Sequence, residues 1–183
     1  MSLRYAILGF LSVQPMSGYD LKKAFDGSVG HFWTADQAQI YRTLIQLIEG
    51  GLVEASHIAQ QGKPDRKEHR LTDDGRAELD AWLASPEQPL PTREPFLLRV
   101  FFAGRLGRES VRQMLAHRLE TGERQLAVLQ EISATVDRAF AGKAIDLDQR
   151  LRYATLDNGI KHTQAEIDWA RALLDQIEQE IPQ

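Results

Sequence analysis

The sequence predicts a mainly α protein, with an N-terminal winged helix-turn-helix domain carrying a small β-hairpin wing, then a C-terminal helical dimerisation domain. Three observations predict it. Thr34 to Leu71 reads as one helix running directly into a two-stranded hairpin. Ser85 to Glu94 (SPEQPLPTRE) is a proline-rich polar break of the kind that separates domains. Beyond it, two long segments carry apolar residues at helical spacing. The boundaries that follow are 1–85 for the winged helix, 86–94 for the linker and 95–183 for the helical domain.

Arg4 to Ser12 (RYAILGFLS) is mostly apolar and predicts a first, buried helix that stops near Gln14-Pro15. Ser17-Gly-Tyr-Asp20 opens a second helix, with Ser17 as N-cap and Asp20 three residues on. It runs to about Asp26 and turns Leu21, Ala24 and Phe25 inward. Gly27 to Trp33 is a loop in which Phe32 and Trp33 pack to pin the entry of the third helix. That third helix buries Ile40, Leu44, Leu47 and Ile48, and rotation of about 100° per residue puts Ala35, Gln39, Arg42, Gln46 and Glu49 opposite. Thr34 and Gln37 have the spacing of a capping box, and Asp36 suits the positive end of the helix dipole. Gly50-Gly51 ends the helix, because glycine tolerates the left-handed backbone a helix stop needs. Val53 to Gln60 and Arg66 to Leu71 are strands flanking the turn Gln61-Gly62-Lys63-Pro64-Asp65. Thr72-Asp-Asp-Gly75 starts a fourth helix, with Ala77, Leu79 (or Ala81), Trp82 and Leu83 as its apolar contacts.

In the second half, Pro95 to Leu106 is apolar enough for a buried helix, closed at Gly107. Glu109 to about Phe140 is a long helix striped by Val111, Leu115, Leu119, Leu126, Leu129 and Val136, and Gly142-Lys143 breaks it. From about Asp146 to Ile181 runs a second long helix. Its Ile160, Thr163, Ile167, Ala170, Leu174, Ile177 and Ile181 alternate in steps of three and four, a heptad-like seam. Such a seam packs against the 109–140 helix of the same chain, against a partner chain, or both. Two long helices and a short one make a thin layer for this much apolar surface, which favours a second copy. The expected homodimer interface is therefore Ile160, Ile167, Trp169, Ala170, Leu174, Ile177 and Ile181.

Composition narrows the function. The 183 residues include no cysteine, which excludes disulfides, thiolate metal sites and cysteine nucleophiles and suits a cytoplasmic location. No apolar run approaches the ~20 residues of a membrane span, and no basic-then-apolar leader opens the chain. There is no G-x-S-x-G elbow, phosphate loop or dinucleotide fingerprint, so neither an enzyme nor a cofactor is expected. His117 with Glu120, and His162 with Glu166, have the spacing of metal ligands on one helix face; ordinary polar surface is the preferred reading, and no metal is expected. A helix with a polar outer face, followed by a hairpin with a cationic tip, is the plan of a module that reads DNA. Charge speaks against this mildly, since the net charge is −4. What phosphate contact needs is a local patch, and Lys63, Arg66, Lys67 and Arg70 outnumber Asp65 and Glu68 there.

MSGYDLKKAF, then FW and QIYRTLIQLIEGGLVE, then GKPDRKEHRLTDDGRAELDAWL, together resemble the PadR family of transcriptional regulators, in its AphA-like subset with a large helical C-terminal domain. The resemblance covers the first 85 or so residues well and the rest through length and helical pattern. It implies a homodimer engaging double-stranded palindromic operator DNA, more often as a repressor, with half-sites spaced by about one DNA turn or a multiple. Gln37, Ala38 and Gln39 then lie where side chains reach base edges; Gln suits adenine, and Ala suits close approach or a thymine methyl. Tyr41 and Arg42 match the family's Tyr-Arg pair, and Arg42 projects outward to phosphate or guanine. Tyr41 as a simple core tyrosine is the alternative. Lys63, Arg66 and Lys67 contact phosphate or the neighbouring minor groove, and Ser17 and Tyr19 sit where backbone N–H groups favour a phosphate. Many relatives carry Ser and Gly where this chain has Asp36 and Ala38, so operator sequence does not carry over, and Asp36 reads as a cap. Some PadR relatives respond to phenolic or other aromatic compounds, which makes a small-molecule effector a further expectation. Trp169, Tyr153, Arg152 and His162 either line a cavity at the dimer interface or, the preferred reading for Trp169, serve as its anchor. The competing class is a winged-helix module that binds protein and has no specific DNA target.

Overall fold

The computed structural model describes residues 2–58, 66–86 and 93–179. It divides into two compact units, Met1–Leu90 and Pro91–Gln183, each with buried residues of its own.

In the first unit the element order is α1 (Ser2–Val13), β1 (Met16–Ser17), α2 (Gly18–Ser28), α3 (Gln37–Glu49), β2 (Val53–Ile58), β3 (Arg66–Leu71) and α4 (Asp73–Ala84). Its core gathers Ile7, Leu8 and Leu11 of α1, Leu21 and Phe25 of α2, and Ile40, Leu44 and Leu47 of α3, with Val53, Leu71 and Leu79 closing the side toward the strands. Helices α1 to α3 turn their apolar residues inward as expected, and β3 has the expected bounds; β2 starts at Val53 as expected, while Ala59, Gln60 and the turn Gln61-Gly62-Lys63-Pro64-Asp65 lie outside the described residues. The sheet has one strand more than the hairpin, in the order β1-β3-β2, all antiparallel. Met16 pairs with His69 and Ser17 with Glu68. Two residues are too few to show an alternating pattern, which is why this strand is invisible in the sequence.

Local chemistry sets the ends of the helices. Ser17 caps α2 in a full capping box with Asp20. The box at α3 is Asp36 with Gln39, two residues beyond the expected Thr34–Gln37 pair. Ala35, expected on the outer face, precedes the helix and is buried in the core. At the other end, Gly51 adopts φ +69° while the N–H of Leu52 donates to Leu47 O and that of Gly51 to Ile48 O, the paired bonds of a Schellman stop. Thr72 caps α4 through Gly75 N–H, and Gly75 lies so close to the Leu52 carbonyl that a Cβ there would approach it to 2.1 Å. Within α4, Leu79 is buried and Trp82 stacks on Tyr5 with centroids 4.6 Å apart, but Ala77, Ala81 and Leu83 face outward. Three turns against α1 leave room for one apolar row only. Phe32, expected to pack, is also exposed, whereas Trp33 lies against the core.

The second unit comprises α5 (Pro95–Phe102), a 3-10 turn (Ala103–Arg105), α6 (Arg108–Phe140) and α7 (Leu147–Gln179). The two long helices pack along each other through Leu115 and Leu129 of α6 and Leu156, Thr163, Ile167 and Ala170 of α7. Gly142 at φ +71° lies in the turn between them. Gly122 permits close approach, since a Cβ there would sit 3.0 Å from Ile167 Cγ1. Arg171 reaches Glu123 at 2.6 Å across the pair, and Arg118 reaches Glu166. The expectation of a buried α5 fails: this helix has no buried residue, and Phe101 is 80% exposed. Leu97, Leu98, Phe101 and Phe102 fall on one side of α5, within an arc of about 140° at 100° per residue, and all four are exposed because α6 and α7 occupy each other.

Candidate nucleic-acid interface

The outward face of α3 is built by what its inward face must do. Ile40, Leu44 and Leu47 are fixed in the core, so Gln37, Ala38, Gln39, Tyr41 and Arg42 are necessarily exposed around the first two turns. These five expected residues therefore form one contiguous surface. Gln39 is partly committed: its Oε1 accepts from Asp36 N–H at 3.1 Å, while its own N–H donates to Asp36 Oδ1 at 2.7 Å.

Tyr41 connects this surface to α2. It is 42% exposed, which fits neither a core tyrosine nor a free one. Its ring lies over Gly18, where a Cβ would come within 2.6 Å of Tyr41 Cε1. Gly18 is thus a missed site residue. No spacing rule links positions 18 and 41, although a glycine at a helix start beside an exposed tyrosine was a signal of close approach. Tyr19 is well exposed beside it. Ser17 is not free to bond a ligand through its hydroxyl alone, since Oγ donates to Asp20 Oδ2 at 2.6 Å and accepts from Asp20 N–H at 3.2 Å. Lys22 pairs with Asp26 on the outer side of α2.

The wing adjoins through the sheet. Lys67 is exposed and in register with His57, and Arg66 begins β3 opposite Ile58. Lys63 lies outside the described residues. Beneath the wing, His69 is 3% exposed and donates from Nδ1 to the Met16 carbonyl at 3.2 Å. A carbonyl only accepts, so Nδ1 carries the proton. Burial pushes this imidazole below its ordinary pKa; the bond to Met16 opposes that and Lys67 adds to it.

The residues expected at a dimer interface divide differently. Ile167 and Ala170 are buried against α6 of the same chain, with Ile160, Leu174 and Ile177 half-buried along the same seam. A residue with no surface left adds none to a partner's interface, so for Ile167 and Ala170 the intrachain packing applies. Trp169 is 41% exposed, and Ile181 lies outside the described residues. Trp169 also borders a cleft of about 450 Å³ with Phe96, Leu97, Arg118, His162 and Glu166. Phe96 meets Trp169 edge-on at 6.3 Å, and the Arg118 guanidinium lies over the Phe96 ring at 5.0 Å. Tyr153 and Arg152 are elsewhere, against Phe140 and Asp148 respectively. His162 lies 3.7 Å from Glu166, whose shorter contact is to Arg118. Phe96 and Arg118 were missed because residues from three helices meet there only in three dimensions.

Residues 7–81 match the PadR-like family of transcriptional regulators, and residues 92–178 match the virulence activator alpha C-terminal family. A "probable transcriptional regulator" of Mycobacterium tuberculosis is 33% identical over 98% of this chain and 99% of its own length. The chain belongs to the PadR-like family. A second relative, the negative transcriptional regulator PadR of Bacillus subtilis, is 28% identical over 97% of this chain and 98% of its own. Its crystal structure in complex with operator DNA has a TM-score of 0.82 to this chain, covering 97% of this chain and 99% of that one. The same protein in complex with p-coumaric acid gives 0.79, covering 98% and 100%. The Vibrio cholerae virulence activator AphA gives 0.75 at 29% identity, covering 98% and 99%. This PadR-like chain is thus a transcriptional regulator with a winged-helix fold and a helical C-terminal region. No helix among its described residues is long and apolar enough to cross a membrane.

Proposed function

We propose that this chain is a repressor that binds a palindromic operator as a homodimer, with α3 in the major groove and the wing on the flanking backbone, and that a small aromatic effector relieves repression. The observation that carries the reading is the outward face of α3, where Gln37, Ala38, Tyr41 and Arg42 form one exposed surface opposite a fully buried one. Such a face on the third helix of a winged helix is where base edges are read. Support for the operator and for repression comes from the Bacillus subtilis relative, a negative regulator whose structure includes operator DNA. Lys63, Arg66 and Lys67 are assigned to the DNA backbone, with Ser17 and Tyr19 at the start of α2. For the dimer, the bare apolar side of α5 is the surface that most needs covering, and Trp169 is close to it through Phe96. The Phe96–Trp169 cleft suits a planar ring, and the relative takes p-coumaric acid. The domains serve these roles as 1–85, 86–94 and 95–183.

The test is a gel shift against the DNA upstream of the chain's own gene, with excess nonspecific competitor. A discrete shift that survives competitor and is lost in Arg42→Ala supports the reading. No shift on any duplex at low salt refutes it and favours a module that binds protein.

A further inference from the structure

We infer that the capping box of α3 is also a base-reading device, and that Asp36 makes this chain select a base bearing an exocyclic amine. The inference rests on α3 being the recognition helix. The box engages one polar atom on each side chain: Asp36 Oδ1 accepts from Gln39 N–H, and Gln39 Oε1 accepts from Asp36 N–H. That leaves Asp36 Oδ2 and Gln39 Nε2 with no partner among the described residues. Both side chains are exposed, on the same turn as Gln37 and Ala38.

The consequence is chemical. A free glutamine offers both a donor and an acceptor and so matches adenine in two places. Held in the box, Gln39 has its Oε1 turned to the Asp36 N–H and presents its Nε2 donor outward, while the acceptor with no bond of its own among the described residues is Asp36 Oδ2. A carboxylate has no proton to give, so it is stabilised in the major groove only by a donor. The donors presented there are cytosine N4–H and adenine N6–H; guanine O6 and N7 and thymine O4 are acceptors. Opposite Asp36, the strand it faces must therefore carry cytosine or adenine, and guanine or thymine there leaves two acceptors face to face. Reciprocally, Gln39 Nε2 suits a keto oxygen or purine N7 beside it. The acid also keeps the start of α3 off the phosphates, which confines that end of the helix to the base edges.

Asp36→Asn is the informative substitution. Asparagine caps a helix about as well as aspartate, so the box and the fold persist, and with its Oδ1 accepting from Gln39 N–H its Nδ2 presents a donor where Asp36 presents an acceptor. Selection of binding sites from a random duplex pool, using the full chain and the variant, is followed by affinity measurements on single-base changes, with a thermal melt confirming that the variant folds. Wild type should show, once per half-site, a position where cytosine or adenine binds about five- to a hundred-fold better than guanine or thymine. In Asp36→Asn that preference should shift toward guanine or thymine while the other positions keep theirs. A folded variant with the wild-type preference at every position overturns the inference, as does a wild-type site with no amine-selective position; both leave the DNA reading standing. Failure of wild type to select any sequence overturns the DNA reading and this inference with it.

Discussion

Replacing Gly18 by alanine should weaken DNA binding through Tyr41 while hardly changing stability. The new Cβ would lie 2.6 Å from Tyr41 Cε1 and 2.7 Å from Cζ, whereas ordinary contact begins at 3.4 Å, so the ring must retreat by about 0.8 Å. A partly exposed tyrosine can do this by rotation. An off-rotamer side chain costs about 0.5–1.5 kcal/mol, and alanine, which has fewer unfolded conformations to lose than glycine, returns about 0.4–1 kcal/mol. The two nearly cancel. For DNA the displaced hydroxyl is not compensated: a hydrogen bond to a charged group contributes about 1.5–3 kcal/mol, so affinity should drop by roughly 10- to 150-fold. Fluorescence anisotropy with a labelled operator, beside a thermal melt, measures both quantities. The decisive control is a double-mutant cycle, because Gly18→Ala should cost little further affinity once Tyr41 is alanine. If Gly18→Ala binds as wild type, or loses affinity equally in the Tyr41→Ala background, the assigned role of the Gly18–Tyr41 contact is wrong.

Other outcomes follow from the same geometry. Gly75→Ala drives a Cβ to 2.1 Å from the Leu52 carbonyl and should destabilise the chain by roughly 1–3 kcal/mol, whereas Gly9→Ala, with nothing within 4 Å, should stabilise it by up to about 1 kcal/mol in chemical denaturation. His69 is held neutral by burial, so the unfolded chain takes up a proton that the folded one resists. Stability should therefore fall as pH drops below about 6.5, and His69→Gln should lessen that slope in urea titrations at graded pH. Charging α5 by Leu98→Glu with Phe101→Glu should convert a dimer to monomer in sedimentation, since those side chains are exposed on the free chain. Log affinity for operator should fall steeply and linearly with log salt, and Arg42→Ala should reduce that slope by about one if Arg42 meets a phosphate.

Wherever one chain segment decides its own conformation, the sequence was enough. The repeat of Ile40, Leu44 and Leu47 predicts which face of α3 is buried, and hence that Tyr41 and Arg42 are on the other. Gly50-Gly51 marks the stop, and Ser17 with Asp20 the start of α2. What escaped depends on pairs distant in sequence. β1 exists only because β3 offers Met16 and Ser17 a partner, and the cleft forms because Phe96 and Arg118 meet residues of α7. The start of α3 was displaced by two residues because Thr34–Gln37 and Asp36–Gln39 both have box spacing; burial of Ala35 selects the second. The heptad-like seam was equally ambiguous, since spacing alone does not say which chain supplies the facing helix. α5 misled for the opposite reason. Its hydrophobicity is real, but burial requires a neighbour: Phe96 meets Trp169 and is half-buried, whereas Leu97, Leu98, Phe101 and Phe102 stay exposed.

The short strand β1 has a practical consequence for engineering. Met16 and Ser17 tie β3 to the residue that caps α2, and Gly18 supports the ring of Tyr41 on α3. The elements from β1 to β3 therefore form one cassette coupled by contacts. Transplanting α3 alone into a relative would leave its tyrosine facing a foreign α2 and put it beside a foreign wing. Exchanging the cassette whole should carry target preference across, so divergence within the family is better followed by comparing such blocks than by aligning recognition helices one residue at a time.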